Sequence, residues 1–190
     1  MLETRSGRRA SQNEFELRSF IALMQARQVI RYLEIGARHG DTFFEVMMSL
    51  PKGAKGVAVD LPGGMWGTDK SRGSLEDACS DLRRRGYDVR CIFGDSTSSG
   101  IRQLAMVEGP YDAALIDGDH RYDGVKADWE IYSQFAPLIA FHDIVGEGQA
   151  EKVHGNKVEV PRLWVELKAK HDHVEFVDDG SKMGIGCILK

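Results

Sequence analysis

Cysteine is scarce. Only Cys79, Cys91 and Cys187 occur in 190 residues, an odd number with no CxxC pair, which argues against a disulfide framework or a structural zinc site and leaves packing as their expected role. Long apolar runs are missing as well: the stretch from Phe135 to Phe141 falls far short of the roughly 20 residues that a membrane span needs. The opening MLETRSGRRASQNEFE has no apolar segment that a secretion machine could read, so a cytoplasmic protein is expected. Basic charge is not in excess, with Lys+Arg 25 against Asp+Glu 29, a net charge of -4 and a pI near 5.9. That is a poor grip for a phosphate backbone and excludes nucleic acid as the main partner. There is no internal repeat and no low-complexity segment. What remains, 42% hydrophobic and 28% charged residues, is ordinary globular composition in a chain long enough for about one domain.

The pattern along the chain alternates. A loose polar arm with Arg5, Arg8 and Arg9 leads into an amphipathic helix from about Glu14 to Ile30, on which Phe20, Leu23, Met24 and Ile30 recur at helical spacing. Strand-length apolar runs then arrive in series: Tyr32 to Ile35, Val57 to Val59, Val89 to Phe93, Ala113 to Ile116 and Leu138 to Phe141. Helix-length stretches separate them: Asp41 to Leu50, Ser74 to Arg85, Ser99 to Met106 and Tyr122 to Phe135. This spacing predicts βαβ crossovers, hence an α/β fold with a parallel sheet and helices on both faces. A helix around Leu163 to Lys168 and two runs, Val174 to Val177 and Gly184 to Leu189, complete the chain. The short turn Asp178 to Ser181 between the runs predicts an antiparallel hairpin at the sheet edge. Residues 1–30 form the arm and leading helix, and residues 31–190 the domain proper.

Acidic residues mark every predicted strand end: Glu34, Asp60, Asp95, Asp117 and Asp143. In a parallel sheet the carboxyl ends share one edge, where ligands bind. Any one acid alone reads as a turn or helix-capping residue; together they read as a site. The first turn, Glu34-Ile35-Gly36-Ala37-Arg38-His39-Gly40, is E-x-G-x-x-x-G and lacks the G-x-G-x-x-G of a dinucleotide site. Glu34 beside it would repel a pyrophosphate but suits a ligand carrying an ammonium and a sulfonium. Asp60, twenty residues past Gly40, can accept from both ribose hydroxyls. A nucleoside without phosphates fits this pattern.

The segments Tyr111 to His120, with Tyr122 and Asp128, then Ala140-Phe141-His142-Asp143, resemble the class I S-adenosylmethionine-dependent methyltransferases, specifically the small bacterial O-methyltransferases related to the cephalosporin-hydroxylase-like and catechol-type enzymes. The resemblance runs from about Tyr32 to Lys190. It implies a single Rossmann-like domain with a mostly parallel seven-stranded sheet in order 3-2-1-4-5-7-6, strand 7 antiparallel. It also implies S-adenosylmethionine (SAM) as cofactor, with Glu34, Gly36 and Gly40 along its methionine end, Asp60 at the ribose and Asp95 with Ser96 at the adenine. In catechol-type relatives an Asp matching Asp117 and an Asp-Asn pair hold a divalent ion. Here Asp143 stands for that Asp, Ile144 for the Asn, and His142 would be the third ligand, for Mg²⁺ or a transition ion. The alternative is that Asp143 caps the next segment and His142 orients substrate.

His120, three residues after Asp117, occupies the position of the relatives' catalytic lysine, and an imidazole can take a hydroxyl proton at neutral pH. It reads equally as a loop histidine bonded to an acid. His154, His171 and His173 read as surface, and Arg83 to Arg85 as a favourable helix C-terminus. In the loop Leu61 to Gly73, Met65 or Trp66 would cover a bound nucleoside, or Trp66 would only pin the loop to the core, and Gly146 to Val160 stands where relatives have an acceptor lid. The expected partner is a small-molecule hydroxyl acceptor, with homo-oligomerisation open. A nucleoside-binding module without turnover and a metal-dependent phosphohydrolase are the competing readings.

Overall fold

The computed structural model describes residues 10, 12–66, 70–146 and 157–190. Arg5, Arg8, Arg9, His154 and most of the expected lid lie outside the described residues. Seven strands and six helices alternate through the rest: α1 (Glu14–Ala26), β1 (Arg31–Ile35), α2 (Asp41–Ser49), β2 (Lys55–Asp60), α3 (Ser71–Arg84), β3 (Asp88–Phe93), α4 (Ser99–Glu108), β4 (Ala113–Ile116), α5 (Tyr122–Tyr132), β5 (Leu138–His142), α6 (Val160–Lys168), β6 (Asp172–Phe176) and β7 (Ile185–Leu189). They build one sheet in the order β3-β2-β1-β4-β5-β7-β6. Every pairing is parallel except the two made by β7. This is the Rossmann-like methyltransferase fold that the resemblance implies.

Strand periodicity explains the two cores. Alternate side chains point to opposite faces: Tyr32, Ala58, Val89 and Leu115 pack with Phe20, Phe43 and Leu82 of α1, α2 and α3. Leu33, Val57, Ala114 and Phe141 pack with Val125, Tyr132 and Trp164 of α5 and α6 and with Ala105 of α4. Burying each large apolar side chain contributes about 1.5–3 kcal/mol. Among the described residues no helix is long and apolar enough to cross a membrane.

Among the boundaries that differ from the sequence reading, three have a visible cause. The leading helix ends at Ala26 rather than Ile30, because the chain turns at Gln28 (φ 56°) to enter β1, and Ile30 stands 51% exposed. Helix α5 stops at Tyr132, its C-cap Ser133 bonding back to Trp129. The final hairpin turns through residues 177–184, longer than the sequence suggests. Its turn is tied down by Glu16 of α1, whose buried carboxylate accepts from the backbone N–H groups of Asp178 (3.2 Å) and Gly184 (3.0 Å). Since β7 lies between β5 and β6, only β6 forms the sheet edge on that side.

Candidate active site

The carboxyl ends of the parallel strands open into a cavity of about 1080 Å³. Glu34, Gly36, Asp60, Asp95, Ser96, Asp117, His120, His142 and Asp143, all singled out from the sequence, line it. Gly40 does not. It opens α2 at φ 79°, and a Cβ there would lie 2.8 Å from Leu75 and 3.0 Å from Ala78, so it is the glycine that lets α3 pack against the turn. Gly36 (φ 86°) meets a harder limit: a Cβ would fall 2.2 Å from the Asp117 carbonyl oxygen. No side chain fits where the loops after β1 and β4 pass each other, and the cavity floor is bare backbone there.

On the β1–β2 side the hydrogen-bond donors to the two acids are neutral, and the cationic Arg38 lies near Asp60 alone. Glu34 is 2% exposed; its Oε2 accepts from the Tyr32 hydroxyl at 2.7 Å. Burial pushes its carboxyl up to about 8, offset in part by that hydroxyl and the Phe43 N–H, with Asp117 and Asp60 pushing the same way as burial. Asp60 is 6% exposed and already engaged, accepting from the Arg38 backbone N–H (2.8 Å) and the Ser71 hydroxyl (2.9 Å). It therefore ties the first turn to α3 while facing the cavity. Burial raises its pKa against those donors and the nearby His39 and Arg38.

Asp95 and Ser96 also have protein partners. The Asp95 carboxylate accepts from the Thr97 N–H (2.8 Å) and hydroxyl (2.7 Å), the turn role that the sequence leaves open for a lone acid. The Ser96 hydroxyl donates to Asp128 at 2.6 Å, and burial lifts the Asp128 carboxyl to about 7.

The β4–β5 side is self-paired. His120 Nδ1 lies 2.9 Å from Asp143 Oδ2 and its Nε2 lies 3.4 Å from Asp117 Oδ1. His142 Nδ1 lies 3.1 Å from Asp117 Oδ1 and 3.4 Å from Asp143 Oδ1. Burial disfavours both imidazolium ions, but the two aspartates outweigh it, raising His120 and lifting His142 to about 9. Asp143, at φ 60°, is held below the ordinary carboxylate range by the two histidines despite its burial. A non-glycine residue in the left-handed region is strained, and here that backbone turns the carboxylate toward His120.

Asp117, His142 and Asp143, the expected metal ligands, do come together at the ends of β4 and β5. Among the described residues no group of three or more His, Cys, Asp or Glu side chains is arranged to hold an ion. The donor atoms at these strand ends are turned on one another instead, His142 Nδ1 toward both aspartates and His120 between the same two carboxylates.

Other site residues escaped the sequence reading. Gln12 donates to Asp117 Oδ2 at 2.9 Å and accepts from the Thr42 hydroxyl, carrying the polar arm across the cavity mouth. Nothing in its polar surroundings signals this. Trp66, singled out from the sequence, lines the cavity and is anchored there: the indole stacks on His120 (ring centroids 4.7 Å, 28° between planes) and its Nε1–H donates to Asp119 Oδ1 at 3.1 Å. Asp119 is in turn clasped by Arg121.

No protein-family model matches the sequence, and no curated protein matches it. Solved structures do. The O-methyltransferase from Bacillus cereus in complex with SAH is 17% identical, with 95% of this chain and 83% of that one covered at a TM-score of 0.65. Cofactor-bound Rv0187 from MTB is 16% identical over 96% and 82%, TM-score 0.67. The O-methyltransferase TomG from Streptomyces achromogenes, involved in tomaymycin synthesis and complexed with SAM, is 13% identical over 95% and 82%, TM-score 0.62. At such identities the likeness establishes the fold, and function has to be argued from the site.

Proposed function

We propose that the protein is a SAM-dependent methyltransferase acting on a hydroxyl group of a small-molecule acceptor. The observation that carries this reading is Glu34: a buried carboxyl on the cavity wall with only a phenol and a backbone N–H as partners, across the same cavity from the His120–Asp143 pair. Leaving a carboxylate unpaired in such a place costs several kcal/mol, and a ligand bringing its own positive charge removes that cost. Bare backbone at Gly36 and the carboxylate of Asp60 suit the rest of a nucleoside without phosphates. SAM, when bound, supplies an electrophilic methyl group on a sulfonium.

The chain's part is to bind, orient and take a proton. Glu34 meets the ligand's positive charge and Asp60 accepts from ribose hydroxyls. His120, oriented by Asp143 on one ring nitrogen and by the Trp66 face, takes the acceptor proton at Nε2 in its neutral form. Most of the acceleration comes from holding the acceptor oxygen in line with the methyl group. No step is routed through a metal ion, because the donors at β4 and β5 neutralise one another.

Calorimetry with SAM, SAH and NAD tests the donor half; binding of NAD alone overturns it. Formation of SAH with a panel of phenols, catechols and alcohols tests the acceptor half. Methylation of amines or thiols alone from the same panel format would move the acceptor away from oxygen.

A further inference from the structure

Two of the three cysteines meet outside this site. Cys79 is fully buried on the sheet-facing side of α3, and Cys91 lies on β3, half-buried, in the same core cluster. Cys91 stands opposite Ala58 in the β2–β3 register, on the sheet face that carries Cys79 and Leu82 of α3, with its thiol in hydrogen-bonding reach of Cys79. Strand β3 is the outermost strand on its side of the sheet, with β2 as its one neighbour, so solvent reaches Cys91 along the edge. Arg83, one turn beyond Cys79 on α3, donates through Nε to the Val89 carbonyl at 3.0 Å and sets its guanidinium near the pair.

The Cys79 hydrogen bond is the main reason the Cys91 thiol is lowered to about 7. Burial opposes this, Arg83 assists and Glu76 opposes. A half-exposed, electropositive thiol is the reactive kind. Cys187 is the contrast within the same chain: it lies on β7, walled in by β5 and β6, and burial pushes its thiol well above the ordinary value.

We propose that Cys79 and Cys91 form a peroxide-responsive dithiol that closes to a disulfide between α3 and β3. The Cys91 thiolate attacks one oxygen of a hydroperoxide; the O–O bond breaks, the departing oxygen leaves as alcohol or water after taking a proton, and Cys91 becomes a sulfenic acid. The Cys79 thiol then attacks the Cys91 sulfur, the S–O bond breaks, and the hydroxyl leaves as water with the Cys79 proton. Two electrons pass from the thiol pair to the peroxide. Closure tethers the helix whose first residue, Ser71, holds Asp60. This inference is independent of the methyl-transfer reading.

The test uses the intact protein treated with a slight excess of hydrogen peroxide, followed by thiol titration, intact mass and peptide mapping. The expected result is a fall from three titratable thiols to one, a mass loss of about 2 Da from the two hydrogens, and a linked pair of peptides carrying Cys79 and Cys91 while Cys187 stays reduced. In Cys79→Ser the expected product is Cys91 sulfenic acid, trapped by dimedone. Three surviving thiols in the wild type, over-oxidised Cys91 beside an intact Cys79 thiol, or a disulfide that includes Cys187 would each overturn the proposal. The wild-type result stands whether or not a variant folds.

Discussion

The two halves of the strand-end crevice treat buried charge in opposite ways. Around β1 and β2 the carboxyls of Glu34 and Asp60 are buried among neutral donors and both are pushed upward. Around β4 and β5 two aspartates and two histidines neutralise one another within 3.4 Å. On the proposed function Glu34, bonded to neutral donors, is completed by a ligand that brings positive charge. A wall that has balanced its own charge is complete already, and can spend a proton site on chemistry. On that proposed function, the crevice separates recognition from reaction by where the counter-charge comes from.

Four perturbations break or sharpen this contrast. The largest is expected on the reaction side: His120→Ala should lower kcat by roughly 10²–10⁴, the range of a lost general base, with SAM affinity by calorimetry little changed. On the recognition side, Asp60→Ala should weaken SAM binding by about 1.5–3 kcal/mol, the scale of hydrogen bonds to a charged group; an unchanged dissociation constant in a folded variant would remove Asp60 from the site.

Third comes pH. With Glu34 at about 8, the carboxylate that a cation needs forms only as pH rises, so SAM affinity should climb toward pH 8 and level off above it, and Glu34→Gln should flatten the slope. Stability has its own sign. A carboxyl raised from 4.5 to about 8 holds a proton that the unfolded chain has released, so its contribution is lost as pH rises through that window. Glu34→Gln should therefore raise the Tm at pH 8. His142, raised to about 9, stabilises fully below its ordinary 6.5, and that contribution disappears as pH rises through 9, so His142→Ala should lower the Tm at pH 7.

The smallest effect is expected from chelation, which should leave both turnover and SAM affinity intact, since the acids and histidines of β4 and β5 pair with one another. Loss of activity in a chelator, restored by Mg²⁺, would return Asp117, His142 and Asp143 to the metal role.

What the sequence made legible were things set by local periodicity and by topology. Alternation such as Tyr32-Leu33-Glu34-Ile35 identifies a strand with two buried faces, and once strands are parallel their terminal acids must converge. Pairings across the chain were hidden. Gln12 reaches Asp117 and Trp66 stacks on His120 because distant loops meet over the crevice, and neither contact leaves a mark in spacing. The β4–β5 cluster was legible only in part: the residue types suit metal ligands, but that two histidines and two aspartates pair with one another is visible only in three dimensions. Ile30 continued the helical pattern in sequence, yet a left-handed Gln28 ended the helix before it.

The order of the sheet carries a consequence for biosynthesis. Because β7 fills the slot between β5 and β6, a growing chain that has already emitted β1 through β6 holds β5 with one flank unpaired. The backbone of Leu138 to His142 is then an open template for any passing strand until residues 185–189 leave the ribosome. Quality control during synthesis should accordingly concentrate on the interval between those two segments, and premature termination there should yield an aggregating product rather than a smaller folded one.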